Sequence, residues 1–349
     1  MVHRVIAITL GAAILLAAVD AAQAKSPAAR PQTKPAVAYN SSQGAEGFLV
    51  VWVEDVGDGS DIYAKRLFRG NGLPQGGPAR GGWQVIRSSS FSGSRDRGPR
   101  DDPAIVYNSQ QGEYVLVYSE YVGDEDGWDV FAVRVSSAGY SRTKPRLLGG
   151  GPGDQQHPDI ATVTVSGRLE YLVVWDDNAQ DIDEVWAVRM HSNGIPRGAP
   201  YRLFASQYNA TDPTTNGTAV AWVDDRGGDT DIWGLRLKNG LPNGTPYRLQ
   251  GTDNEDFNPR FGEGPLLWNS YNSLTGIDVH GAEVYNNNTT RGPNVGILVP
   301  AADQSWPDAA SGIMVFADNR SGDFDLYGIR LTNIRSRGRE FPILTDYTP

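Results

Sequence analysis

The sequence has no cysteine, and only 4 histidines and 3 methionines among its 349 residues. Without cysteine there is no disulfide, no thiolate metal site and no lipid attached through sulfur. Imidazole chemistry is confined to His3, His157, His191 and His280. Catalytic signatures are missing as well. There is no H-E-x-x-H, no G-x-S-x-G, no phosphate-cradling glycine loop and no dinucleotide glycine run. Ser-x-Asp-x-Gly-x-x-Trp is also absent. Basic excess is lacking too: 31 Lys and Arg against 41 Asp and Glu leave a net charge of −10. Such a balance argues against general binding to nucleic acid or anionic membranes.

Turn formers and aromatics are abundant. The chain carries 41 Gly, 22 Pro, 9 Trp, 15 Tyr and 10 Phe, and 39% of it is hydrophobic. That composition suits an all-β protein with many turns and a sizeable core. The N-terminus pairs Arg4 with an apolar run from Val5 to Val19, then Ala22-Gln23-Ala24. This is the layout of a secretory signal peptide at 1–24, cleaved before Lys25. No later run reaches membrane length, so no transmembrane segment is expected in the mature chain. A secreted, periplasmic or cell-surface location follows as an expectation. Residues 25–34, rich in proline, read as a flexible leader.

The rest of the chain repeats itself. Gly-Asp-x-Asp-aliphatic-aromatic-Gly-aliphatic-Arg-Leu occurs in "GDTDIWGLRL" and "GDFDLYGIRL", with looser copies ending at Leu67, Val135, Met190 and Val284. The acid column is Asp61, Asp129, Glu184, Asp231, Asp278 and Asp325. The aromatic column is Tyr63, Phe131, Trp186, Trp233, His280 and Tyr327. Upstream lies a second aromatic column, Trp52, Tyr118, Trp175, Trp222, Trp268 and Phe316, in runs such as "FLVVWVED" that read as strands buried on both faces. A proline opens each unit, and a short strand such as "YRLF" or "FPIL" closes it. Six units of four strands, 46 to 48 residues apart from Trp175 onward, predict a six-bladed β-propeller over 35–349. Its blades are expected at about 35–90, 102–150, 157–206, 212–251, 258–301 and 306–346. An insertion from Arg87 to Asp102 separates the first two, and the fifth unit is degenerate.

The segments "WVDDRGGDTDIWGLRL", "VFADNRSGDFDLYGIRL" and "VVWVEDVGDGSDIYAKRL" resemble the TolB-like, WD-repeat-like family of propeller repeats. The resemblance covers essentially the whole mature chain. It implies the fold and leaves the activity open, because propellers host many unrelated functions.

The turns between second and third strands share a face with the links between blades, so this face is the expected ligand face. The repeated acids Asp61, Asp129, Asp231, Asp278 and Asp325 read as hairpin fasteners that accept backbone N–H groups. The arginine column (Arg66, Arg134, Arg189, Arg236, Arg330) reads as pairing or packing. Dense turn carboxylates repel one another unless a cation sits among them. "GDEDGWD" therefore makes Asp124, Asp126 and Asp129 a candidate calcium loop, though it lacks the length of an EF-hand. Rim candidates for a ligand are Asp102, His157 and Asp212, which with Asn258 each stand directly before a strand-opening proline. The aromatics Tyr121, Trp128, Tyr271 and Trp306 join them. No residue is marked as catalytic. The preferred reading is a non-enzymatic binding module for a protein or glycan, with calcium as a possible cofactor. The alternatives are a carboxylate-based hydrolase working at the central channel, or a structural subunit of an extracellular assembly.

Overall fold

A computed structural model describes residues 30–42, 47–57, 59–77, 81–86, 98–251, 254–262, 264–284, 290–298, 302–332 and 334–345. The expected signal segment, residues 25–29 and most of the expected insertion lie outside these. Six antiparallel sheets, each built from consecutive strands, form the blades of a propeller. Blade one comprises Gln32–Asn40, Gly47–Asp55, Ser60–Phe68 and Trp83–Gln84. The later blades begin at Arg100, Gln155, Ala210, Asp256 and Gln304. No described helix is long and apolar enough to cross a membrane.

Each hydrophobic cluster of the protein spans two adjacent blades. Trp175 packs with Val115 and Val130 of the preceding blade, Trp222 with Leu172 and Val185, and Trp268 with Val223 and Ile232. Trp52 faces Val315 and Phe341 of blade six, so the same contact closes the ring. These four Trp side chains are fully buried. A blade alone would leave them in water, at a cost of about 3–5 kcal/mol for losing each large aromatic. The array is therefore stable as a ring. Among the described residues no strand is exchanged between blades one and six, and the ring closes through hydrogen bonds: the Gln32 N–H donates to the Phe324 carbonyl at 2.9 Å, and the Val37 N–H donates to Asp308 at 2.7 Å.

Three boundaries differ from the sequence reading. The first strand begins at Gln32, so residues 32–34 belong to blade one and not to a leader. Arg100–Asn108 takes in the end of the expected insertion, because Arg100 and Asp101 pair with Glu120 and Ser119. The closing strands of blades five and six run over Thr290–Leu298 and Arg335–Leu344, longer than the short segments expected. Blade five keeps its architecture, with His280 against Trp268 at 6.0 Å between ring centroids.

The acid column faces a second acid column across five of the six hairpins; in blade five Asp278 faces Ser270. Glu54 pairs with Asp61, Glu120 with Asp129, Asp177 with Glu184, Asp224 with Asp231 and Asp318 with Asp325. Like charges so placed repel, and arginines compensate them. Arg202 meets Glu184 at 2.9 Å, and Arg248 meets Asp231 at 2.7 Å. Arg226 grips Asp224 at 2.5 Å and stacks over Trp233 at 3.8 Å. Arg320 repeats this on Asp318 and Tyr327. Asp278 accepts from the Thr275 hydroxyl at 2.6 Å, and Asp325 from Ser321.

Candidate functional site at the mouth of the central channel

The first strand of every blade carries a proline near its start. Proline has no N–H for the ladder, so it sits where pairing is interrupted. In all six blades the register between first and second strands slips there: between Thr33 and Ala36, Asp101 and Ala104, Thr211 and Thr214, Phe257 and Arg260, Ser305 and Asp308, and opposite Val174 and Asp176 in blade three. The residue before each proline is Lys34, Asp102, His157, Asp212, Asn258 or Trp306, and its φ lies between 48° and 52°. Non-glycine residues reach this left-handed region at a cost of about 1 kcal/mol or more. A bulge re-aims a side chain. Six of them at one level turn one side chain per blade onto a common pocket of about 130 Å³, walled by Pro35, Pro213, Pro259 and Pro307 and floored by Arg260.

The ring is strongly charged. The Lys34 ammonium sits 2.6 Å from Asp102 and 2.9 Å from Asp101. Burial opposes its charge, but the two carboxylates outweigh that and push its pKa up. Burial pushes the Asp102 carboxyl up, yet His157 and Lys34 outweigh it and hold the group well below the usual carboxylate range. The Ser119 hydroxyl also donates to Asp102 at 3.1 Å. His157 stands among carboxylates: Nδ1 is 2.8 Å from Asp176, and Nε2 is 3.4 Å from Asp212 and 3.9 Å from Asp102. Burial disfavours the imidazolium, but Asp176, Asp212 and Asp102 together raise its pKa well above the ordinary value. Asp212 moves the other way from Asp102, since burial raises it more than His157 lowers it.

Supports come from the second strands. Asp176, one residue after the Trp175 anchor, accepts the Asp212 N–H at 2.9 Å. Asn269, one residue after Trp268, plays the same part for Trp306 at 3.0 Å and also accepts from Asn258 at 3.2 Å. Beneath the ring lies a second polar layer. Arg260 pairs with Asp159 at 3.3 Å, and the Thr214 hydroxyl and Thr215 N–H donate to Asp159 at 2.7 and 2.8 Å. Burial pushes the neighbouring Asp308 up to about 7, against the pull of Arg260. Arg260 also lines a second cavity, of about 350 Å³, together with Asp159, Tyr107 and Asp308.

Of the rim candidates, Asp102, His157, Asp212 and Trp306 meet in this pocket; Tyr121, Trp128 and Tyr271 do not line it. Tyr121 and Trp128 contact each other edge to face, 5.8 Å apart, on their own hairpin, and Tyr271 is exposed. Asp124, Asp126 and Asp129 do not converge as a metal-binding group; among the described residues the one such group is His157, Asp176 and Asp212. Asp124 accepts from the Tyr121 hydroxyl, while Asp129 is buried in its strand. The sequence reading missed Lys34, assigned to the leader, and the floor residues Arg260, Asp159 and Asp308. The signal for Lys34 was present: it precedes the first of the six repeated prolines.

No family model matches the sequence, and no curated protein matches it. Similar solved structures include puromycin hydrolase, at 14% identity and TM-score 0.51 over 91% of this chain and 48% of that one. Another is the Hadza microbial sialidase Hz136, at 10% identity and TM-score 0.54 over 82% and 63%. A third is a putative TolB from Agrobacterium tumefaciens, at 10% identity and TM-score 0.44 over 76% and 90%. The chain spans about half the length of the peptidase structures it matches. At such identities the likeness concerns architecture alone. The chain is a six-bladed β-propeller of four-stranded blades, and its resemblance to the TolB-like propellers is one of fold.

Proposed function

We propose that the protein is a secreted binding module that takes a small polar group into the mouth of its central channel. That group would be the terminal moiety of a glycan or of a protein partner. The carrying observation is the ring of six pre-proline side chains, one from each blade, held in left-handed backbone conformations around one pocket. Strain repeated at one place and facing solvent is the pattern of a functional site. Three features support the ligand class. A pocket of about 130 Å³ suits a single sugar ring or side chain. Trp306 contributes an aromatic face to its lining, and such faces stack on sugars and apolar groups. Around Lys34, His157 and Arg260 stand Asp101, Asp102, Asp159, Asp176, Asp212 and Asp308, an acid excess that favours hydroxyl or amino groups over phosphate.

The test is binding of the mature chain to glycan and peptide arrays, then calorimetry on whatever is captured. Trp306→Ala is expected to weaken binding at least tenfold, and Tyr271→Ala on the outer rim to leave it unchanged. The opposite pattern would move the site to the rim aromatics.

One observation favours a second reading, a carboxylate hydrolase at the same pocket. Asp102 and Asp212 flank His157 and are displaced in opposite directions, as in an acid–base pair. Time-dependent product release from a captured ligand, lost in Asp102→Asn with binding retained, would establish it.

A further inference from the structure

Strands alternate in direction within every blade. The turns between first and second strands, and those between third and fourth, therefore lie at the end of the disc away from the channel mouth. Charge is divided between the two ends. Exposed acids stand in or beside the turns between second and third strands, among them Asp55, Asp124, Asp126, Asp181, Asp225 and Asp323. The far end carries exposed cations instead, including Arg69, Lys144, Arg168, Lys238 and Arg335. The acids nearest to it among the described residues are Glu113, Glu170 and Glu283. Glu113 is buried beneath Arg134 and Arg142, at 2.5 and 3.4 Å, and Glu170 is buried beneath Arg189 and Arg197. Two arginines to each acid leave positive charge in excess at the surface. The net charge of −10 thus belongs to the acid end and conceals a basic one.

The basic end also presents apolar side chains. The turn sequence Asn-Gly-aliphatic-Pro occurs at 71–74, 193–196 and 239–242, and Gly139-Tyr140 takes its place in blade two. Leu73, Tyr140, Ile195 and Leu241 are between 41% and 54% exposed, Tyr140 even though it leans on Trp83 at 5.7 Å. The turns that carry them are held from the preceding blade. The Arg330 guanidinium donates to the Gly70 carbonyl at 2.8 Å, the Trp83 indole to Gly139 at 2.8 Å and the Tyr201 hydroxyl to Gly240 at 2.7 Å. In blade three a Cβ on Gly194 would lie 3.4 Å from Arg134. Asn71 and Asn193 also accept the N–H of Leu73 and Ile195, at 3.0 and 3.1 Å. Four consecutive blades therefore hold one apolar tip each at the same level. Beside each tip along the chain stands a cation: Arg69, Arg142, Arg197 or Lys238.

We propose that the face opposite the channel mouth seats on an anionic lipid surface, with Leu73, Tyr140, Ile195 and Leu241 entering the headgroup layer and the neighbouring Lys and Arg side chains meeting the phosphates. Apolar tips standing among cations on one side of a disc match that layer, where charge lies above and hydrocarbon below. A soluble polyanion would satisfy the cations and leave the apolar tips in water. A second copy offers an acidic end, but two molecules of the same net charge repel as they approach. Seated in this way, the protein turns the channel mouth and its acid rim away from the lipid, free to take a ligand.

The experiment is co-sedimentation of the full mature chain with two kinds of vesicle: phosphatidylcholine and phosphatidylglycerol in equal parts, and phosphatidylcholine alone. Binding is expected to be tighter to the anionic vesicles by about tenfold or more, and to weaken as salt is raised. Leu73→Ser, Ile195→Ser and Leu241→Ser together are expected to weaken it by about tenfold or more. Independently, Lys144→Gln with Lys238→Gln is expected to weaken it and to flatten its salt dependence. All five side chains are exposed, and thermal melts of both variants check that the fold is kept. Leu274→Ser, at a position 92% exposed on the acid end, is expected to change nothing. No binding to anionic vesicles at low salt would overturn the proposal. So would equal binding by wild type and both multiple variants, or an equal loss in Leu274→Ser. Self-association that the serine variant abolishes, without vesicle binding, would give the face to a second copy and overturn the proposal as well. Retention on immobilised heparin without vesicle binding would overturn it in favour of a soluble polyanion.

Discussion

Arg100 and Asp61 join two blades: the guanidinium Nη1 lies 2.7 Å from the Asp61 carboxylate, while Nε of the same group lies 2.8 Å from Glu120. All three residues are buried. One cation thus satisfies an acid from the third strand of blade one and another from the second strand of blade two. Removing it takes a shared cation away from two buried carboxylates, a change that costs about 3–5 kcal/mol. Arg100→Met should therefore lower stability by that amount in a urea titration. Adding Asp61→Asn and Glu120→Gln should restore part of it. A loss below 1 kcal/mol would show that the acids find other partners.

Comparison across blades exposes a gap in blade two. In blades three and four the fourth-strand residue opposite the aromatic column is Arg202 or Arg248, and it pairs with the repeated acid. In blade two that position is Leu147, opposite Phe131 and half exposed. Asp129 is left with Oδ1 unbonded among the described residues. Burial pushes its carboxyl up to about 6, with Asp126 and Glu120 adding to the shift. Leu147→Arg should supply the partner and stabilise the fold by about 0.5–1 kcal/mol. The gain should be larger at pH 7 than at pH 4.5, because only ionised Asp129 attracts the new cation. Equal gains at both values would count against the pairing.

The channel floor makes a second pH prediction. The Asp308 carboxyl is raised to about 7, chiefly by burial, and accepts the Val37 and Ala309 N–H groups at 2.7 and 2.8 Å. An acid whose folded pKa lies above its unfolded value holds its proton longer in the folded state. Its contribution to stability is then lost as pH rises from about 4 through about 7. The stability difference between wild type and Asp308→Asn should shift against the wild type across that window. A flat difference would mean that Arg260 keeps Asp308 ionised throughout. Asp102 acts in the opposite sense: its carboxyl is held low, so its contribution disappears only as acid protonates it.

Gly149 closes the fourth strand of blade two against the Trp175 anchor of blade three. A Cβ built there would lie 2.7 Å from the indole ring. Its φ is not in the left-handed region, so the requirement is for space and not for backbone freedom. Gly149→Ala should cost about 1–3 kcal/mol by overpacking the seam. Paired with Trp175→Phe, which opens room, the cost should shrink in a double-mutant cycle. Additive losses would place the strain elsewhere.

The sequence by itself determined the propeller. Apolar runs, prolines and glycine turns recur six times at one period, and each unit carries an aromatic that only a neighbouring blade can bury. The acid column was legible as a repeat, but its partners were not: Asp231 pairs with Arg248 of its own blade, whereas Asp61 takes Arg100 from the next. Only the tertiary structure decided the site. Lys34 and Trp306 stand at opposite ends of the chain and meet because the first strands all point one end at the axis. Which pre-proline residue faces which, and that His157 falls between Asp176 and Asp212, follows from the order of blades around a closed ring. A repeat reports its period, but the distance between the same position in different repeats is set by closure. Local propensity carries no information about that distance, which is why the chemistry at the axis was hidden while the fold was plain.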